Sequence, residues 1–424
     1  MPSQRPAGGR RFIIHALATL IVILALILVA GRFAPWEITG GNVILRAQRG
    51  MIHEFAAPDG GQLTVPTSNR RNLVVAAESR PLNVILMIGD GMGIGQASAA
   101  SALIHGPDGS LFVESAPITG LVRTLAGNEL VTDSAAAATA MATGFKAPKT
   151  SISILADGRR PVILMAAAKA SGLATGVLTT SGLADATPAG FLVHSEDRYQ
   201  YAHIFTEILA TDHDILIGGT WINHHRAKHD KAYLNLVGRA DELGAAAGYH
   251  VILNPSDLEA ARTPVLALFE PRGNSSDGHG PHLTVSTRFL LDTLGGRQEG
   301  FLALIESEVT DGTGHKNNIA GVVDAVREFD EAVALTVRWA EARGDTLVLV
   351  TADHDTGGLG IVDGDFHDGV AEVRWASEFH TGQWVPLFAF GPGAEHFNGV
   401  MDNTDIGVLI AKLLGIEDFP NAHP

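Results

Sequence analysis

The chain has 424 residues, 46% of them hydrophobic and 18% charged, with 46 acidic side chains against 30 basic ones and no cysteine. This composition is globular and long enough for a large core, and a formal charge of −16 excludes a protein that wraps nucleic acid, which needs basic patches. The missing thiols exclude disulfide frameworks, thiolate zinc sites, cysteine nucleophiles and amino-terminal lipid attachment, so any metal must be held by His, Asp and Glu.

The first element is "RRFIIHALATLIVILALILVAGRF", in which Phe12 to Gly31 form a nearly uncharged run behind Arg5, Arg10 and Arg11. Its length matches one bilayer crossing, and the arginines on its amino-terminal side predict export of everything that follows. Residues 1–31 are therefore expected to be a transmembrane signal anchor, with a signal peptide cleaved near Val29-Ala30-Gly31 as the alternative; Arg10-Arg11-Phe12 also hints at a twin-arginine signal. Either way the expected location is the periplasm or cell envelope, with residues 12–31 as the inner-membrane anchor in the first case. Residues 32–80 read as a linker with a short hairpin, and residues 81–424 as the catalytic domain.

From Leu82 the pattern becomes regular. "LNVILMI" is a continuous apolar run ending in Gly89-Asp90-Gly91, as a buried parallel strand should. Residues 130–144, "LVTDSAAAATAMATG", place Asp133 and Ser134 before a run of alanines, which reads on its own as a capped helix. A helix is expected over 161–172 and a strand over 174–180. The polar stretch that holds His213, His224, His225 and His229 reads as a solvated loop. A helix through "DAVREFDEAVALTVRWAEARG" turns Val326, Phe329, Val333 and Val337 to one side and stops at Gly344. "TLVLVTADHD" and "VPLFAFGPG" are further strands, and "DIGVLIAKLLGI" is a closing helix. The alternation predicts an α/β fold, a three-layer α/β/α sandwich around a mostly parallel sheet.

Ligands in such sheets bind beyond the carboxyl ends of the strands. Three clusters stand there: "IGDGMG" (88–93), "IESEVTDGTGH" (305–315) and "TADHDTGG" (351–358). With "FHTG" (379–382) they gather Asp90, Glu306, Asp311, His315, Asp353, His354 and His380. Mixed imidazole and carboxylate ligands suit catalytic zinc, while an all-oxygen subset suits magnesium.

"DGMG", "TDSAAAATAMATG", "DATPAGFLVHSEDR", the spacing of Glu306, Asp311 and His315, "TADHDTGG" and "HTG" together resemble the metal-dependent alkaline phosphatases, in that family's order, from about Asn83 to Leu414. The resemblance implies an alkaline-phosphatase-like fold and a phosphomonoesterase that forms a phosphoserine at Ser134. It implies two Zn2+ and one Mg2+. Asp311, His315 and His380 would hold the zinc that binds and activates water, and Asp90, Asp353 and His354 the zinc beside Ser134. Magnesium would take Asp90, Thr187 and Glu306, with Asp185 holding its waters, and Arg198 would grip phosphate. The implied partners are phosphate monoesters and inorganic phosphate.

These roles are chemically coherent. A serine hydroxyl is a poor nucleophile until a metal or base activates it, helix amino termini favour anions, and an arginine fork matches a phosphate edge. Two departures matter. Gly312 stands where relatives often place Lys or His, and Lys316 is the nearby candidate to replace that charge. The catalytic part leaves little room for the insertions that build family dimers, so monomer and homodimer are both open. A phosphodiesterase or phosphonate hydrolase of the same superfamily is the alternative activity, and an inactive metal-binding scaffold is a third reading. Cysteine-derived sulfatase chemistry is excluded by composition.

Overall fold

The computed structural model describes residues 80–222, 224–270, 280–365 and 370–423, and the short strands Ile38–Thr39 and Ile44–Leu45, which pair antiparallel. The expected anchor, residues 12–31, lies outside the described residues. Among the described residues no helix is long and apolar enough to cross a membrane.

Ten strands form one sheet: β1 (Asn83–Gly89), β2 (Ile118–Arg123), β3 (Ala174–Gly182), β4 (Ile215–Gly219), β5 (His250–Ile252), β6 (Val265–Phe269), β7 (Phe301–Ser307), β8 (Thr346–Thr351), β9 (Val385–Phe390) and β10 (Gly399–Asp402). Their order is β10-β2-β9-β8-β1-β7-β3-β4-β6-β5. Every neighbouring pair is parallel except the two made by β9, which runs against both β8 and β2. β1, β3, β7 and β8 are buried along their whole lengths, because helices cover both faces of the sheet. That is why their sequences are unbroken apolar runs rather than alternating ones.

The helices used below are α1 (Ile94–His105), α2 (Ser134–Thr143), α3 (Ala186–Leu192), α4 (Leu283–Leu294), α5 (Val309–Gly314), α6 (Ile319–Arg343) and α7 (Asn403–Leu414). α6 packs with α1, α4 and α5 in one layer, and α2 packs with α3 and α7 in another. The expected three-layer sandwich is present. Val326, Phe329, Val333 and Val337 are buried along α6, and Gly344 ends it in the left-handed conformation with φ 75.

Two expectations shift in detail. The helix expected over 161–172 spans only Leu164–Ala170, because Arg160-Pro161 pairs with Ala422-His423 and the Val162 N–H donates to the Asn421 carbonyl at 2.7 Å. Glu306 lies inside β7 rather than after it, paired with Ile88 on β1 and Thr179 on β3.

Candidate active site

The parallel register aligns the ends of three adjacent strands. Gly89 pairs with Ser307 and Thr351 with Ile88, so Asp90 and the segment Asp353-His354 leave the sheet side by side, next to Glu306 at the end of β7. One oxygen of Asp353 accepts from the Gly91 N–H at 3.1 Å and from the His354 N–H at 2.9 Å, which locks the two strand ends together. Its other oxygen lies 3.0 Å from His354 Nε2, and Asp90 Oδ1 lies 3.6 Å from the same nitrogen.

Ser134 opens α2. Asp133 is the N-cap, its Oδ1 accepting from the Ala136 N–H at 3.1 Å, so Ser134 is the first helical residue and points out of the helix start. It is 5% exposed, and its Oγ lies 3.2 Å from His354 Nε2. The whole of α2 is buried, and its neighbours come very close. A Cβ at Gly190 of α3 would sit 2.8 Å from the Ala138 Cβ, and one at Gly407 of α7 would collide with the Met141 carbonyl oxygen. Only small residues permit three helices to approach like this, which accounts for the alanine run.

The three imidazoles are oriented alike. His315 Nδ1 donates to the Glu378 carbonyl at 2.7 Å, and His380 Nδ1 donates to the Thr132 carbonyl at 3.0 Å. The Thr356 hydroxyl donates to Asp311, so its remaining lone pair receives His354 Nδ1 at 3.2 Å. Each ring therefore presents Nε2 to the site. His315 Nε2 and His380 Nε2 are 3.2 Å apart, and they lie 3.2 Å and 3.5 Å from the two Asp311 oxygens. The His354 and His380 rings stack at 3.5 Å.

Arg198 faces this group from the segment after α3. Its guanidinium lies 3.2 Å from Asp133 Oδ2 and 3.3 Å from Asp185 Oδ1, and its N–H donates to the Thr150 carbonyl. Asp185 is itself fixed as the N-cap of α3 and accepts from Ser181 Oγ at 2.6 Å. Ser134, Asp185, Arg198, Asp311, Gly312, His315, Lys316 and His380 line a cavity of about 500 Å3 together with Asp133, Glu308, Tyr199, Ile222, His224 and Phe379.

The electrostatics are those of a cation site. Burial pushes Asp90 well above the usual carboxylate range, and Asp353, Asp311, Glu306 and Glu308 push it further. Burial raises Glu306 to about 8 against the hydrogen bond from Thr179, and burial with Asp311 raises Glu308. Burial works against a charged His315, but contact with Asp311 brings it up to about 9. Burial also opposes the Asp311 carboxylate, yet His315 and His380 hold it well below its usual range. Asp90 Oδ1 is buried with no hydrogen-bond partner among the described residues. The nearby atoms of Asp311, His315 and His380, and of Asp90, Asp311 and His354, fall within 4.8 Å of one another in each group. Crowded buried acids with inward-facing imidazoles fit divalent cations and fit little else.

The structure brings Ser134, Asp185, Arg198, Asp311, His315 and His380 to one cavity, with Asp90 and His354 within reach of Asp311. Two expectations about the histidine-rich stretch are corrected. His213 is not in a solvated loop: it is 2% exposed, pairs with Thr175 Oγ1 at 2.9 Å, and burial lowers its pKa to about 4. His224 lines the cavity and stacks on Tyr199 at 4.9 Å. The positioning groups Thr356, Thr179 and the Thr132 and Glu378 carbonyls were not identified from sequence. Thr356 carried the one available signal, standing two residues after His354 in a motif already marked. Asp133 reads in the sequence as a helix cap and in the structure also holds Arg198.

Acids and imidazoles around one serine, with an arginine opposite, define a hydrolase of phosphate esters. The family model for alkaline phosphatase matches residues 82–365 and 362–416, and the chain belongs to the alkaline phosphatase family. It is 28% identical over 437 residues to alkaline phosphatase 3 of Bacillus subtilis, covering 83% of this chain and 93% of that one. It is 31% identical over 409 residues to the streptomycin-6-phosphate phosphatase of Streptomyces griseus, covering 79% and 90%. Among solved structures, the cold-active alkaline phosphatase of a psychrophilic Shewanella superposes with a TM-score of 0.68 at 28% identity over 78% of this chain and 99% of that one. The enzyme from the Antarctic bacterium TAB5 gives 0.67 at 26% identity over 80% and 100%, and a variant of it was solved with magnesium bound. The chain is a phosphomonoesterase.

Proposed function

We propose that this enzyme is exported and hydrolyses phosphate monoesters through a phosphoserine at Ser134, with two zinc ions and one magnesium ion. The observation that carries the reading is Ser134 itself, buried at a helix start with Oγ 3.2 Å from the imidazole of His354 and lining the same cavity as Arg198. Asp311, His315 and His380 would hold one zinc, Asp90, Asp353 and His354 the other, and Asp90, Thr187 and Glu306 the magnesium, with Asp185 on its waters. Bound there, the ions would lower the pKa of coordinated oxygens and offset charge on phosphorus.

The protein's own groups do the rest. Arg198, held in a plane by Asp133 and Asp185, presents charge-assisted donors to two phosphate oxygens. The amino terminus of α2 favours the trianionic transition state at the same point. Ser134 Oγ bonds to phosphorus as the ester oxygen leaves and takes a proton, and water then cleaves the Ser134–phosphate bond to release inorganic phosphate. The chain's residues 12–31 would hold the enzyme at the inner membrane with this site on the exported side.

The test is phosphate release by the full-length protein from an aryl monoester and the matching diester at alkaline pH, before and after chelation and after restoring zinc and magnesium. Monoester turnover that needs metal and falls by at least about a thousandfold in Ser134→Ala is expected. Faster diester cleavage, or turnover untouched by the substitution, overturns it. Protease accessibility of the catalytic body in intact spheroplasts tests export in the same strain.

A further inference from the structure

The cavity of about 500 Å3 that Ser134 and Arg198 line has the volume of a small-molecule site. Besides the imidazoles of His315 and His380, Tyr199, His224 and Phe379 bring rings to its wall, alongside Ile222, Glu308, Gly312 and Lys316. The Tyr199 ring is stacked on His224 at 4.9 Å with an interplanar angle of 28°, and the Arg226 guanidinium lies 4.1 Å from its centre. Tyr201 meets Tyr199 edge-on at 6.2 Å, and the Tyr199 N–H donates to Asp197 Oδ1. His224 is set in turn by the Arg226 N–H, which donates to its Nδ1 at 3.2 Å. These contacts hold the two rings in place before any ligand arrives. Phe379 also lines the cavity and is 72% exposed, an unusual state for a large apolar ring one residue from His380.

We propose that Tyr199, His224 and Phe379 form a subsite for the leaving group, and that it selects phosphate monoesters whose alcohol carries a planar heteroaromatic ring, of the nucleoside 5′-monophosphate type. The inference rests on the phosphomonoesterase reading of Ser134 and deepens it. The exposed Phe379 ring gains from stacking a flat ring and gains little from a polyol, and the half-buried Tyr199 and His224 rings, already held, lose little freedom on binding. Tyr199 follows Arg198 directly, so the same backbone turn that aims the guanidinium at phosphate places the ring beside it.

The experiment compares adenosine 5′-monophosphate with ribose 5-phosphate, using the metal-replete full-length enzyme. Both are primary alkyl phosphates of the same intrinsic reactivity, and they differ by the base. The expected wild-type ratio of kcat/KM is about tenfold in favour of the nucleotide. Phe379→Leu and Tyr199→Leu are each expected to reduce that ratio severalfold, chiefly through KM for the nucleotide. A wild-type ratio near one overturns the subsite without recourse to any variant, as does a ratio that neither substitution changes. Hydrolysis of neither ester by folded, metal-loaded protein would instead overturn the phosphomonoesterase reading of the site.

Discussion

A histidine offers one nitrogen to a metal or a phosphate only when the other is committed elsewhere. His315 and His380 commit theirs to backbone carbonyls, which no substitution of a neighbouring side chain can remove, but His354 commits its own to the Thr356 hydroxyl. That hydroxyl also donates to Asp311, so one oxygen orients residues assigned to both zinc sites. Thr356→Val should leave every proposed ligand in place and still weaken metal binding by about 10- to 100-fold, measured by competition with a chelating dye. Unchanged affinity would remove Thr356 from the site. His213 tests a different property, burial alone. Its folded pKa is lowered to about 4, below the value of about 6.5 for a free imidazole, so the unfolded chain binds the extra proton. Stability from this group is therefore present above about pH 6.5 and is lost as pH falls through about 4. In urea unfolding of chelated protein, the stability advantage of wild type over His213→Asn should shrink by up to about 3 kcal/mol between these limits.

At the scale of elements, α2 shows how a helix can be chosen for its thinness. Its ten residues are all buried, and Gly190 and Gly407 on the two flanking helices supply the matching hollows. Gly407→Ala improves helix propensity in α7 by about 1 kcal/mol, yet it must push the Met141 carbonyl away. Overpacking should win, with a net loss of about 1–3 kcal/mol in chemical denaturation and a fall in turnover because Ser134 rides on the displaced helix. A neutral or stabilising effect would show that α2 and α7 have slack between them. Strands β1, β3 and β8 were legible for a plain reason, that a parallel strand covered on both faces must be apolar throughout, as "VILMIG" and "LVLVT" are, whereas β2, β4, β5, β6 and β10 were not singled out. The reversal of β9 was not legible, since "VPLFAF" is buried on both faces whichever way it runs.

For the whole molecule, the excess of acid over base has a local centre. Asp90, Glu306, Glu308, Asp311 and Asp353 gather where the strands end, and with a formal charge of −16 the chain has few cations to spare for them. Chelation should lower the melting temperature, and restoring zinc and magnesium should raise it by mass action. The pH dependence has a definite sign. Glu306 is raised to about 8 when folded, so the metal-free folded chain holds a proton that the unfolded chain loses near 4.5. Its contribution to metal-free stability is present below about pH 4.5 and is lost as pH rises through about 8. Cations bind the ionised carboxylates, so the gap in melting temperature between loaded and chelated protein should widen from pH 6 to pH 8. A gap that narrows would mean that the acids are not the metal ligands.

The sequence by itself determined the layered α/β class, the central apolar strands and the short motifs that carry the proposed reacting groups, because each of these is written in residues close together along the chain. Asp90, Ser134, Glu306, Asp311, His315, Asp353, His354 and His380, the groups proposed for the site, all stand in such motifs. Only the tertiary structure could decide which groups orient them, since the Thr132 carbonyl meets His380 across 248 positions and Thr179 meets Glu306 across 127. The same holds for the cavity wall: Tyr199, His224 and Phe379 share no motif, and they line one cavity because three separate segments fold together. Local pattern encodes what a residue can do; long-range packing decides what it does it to.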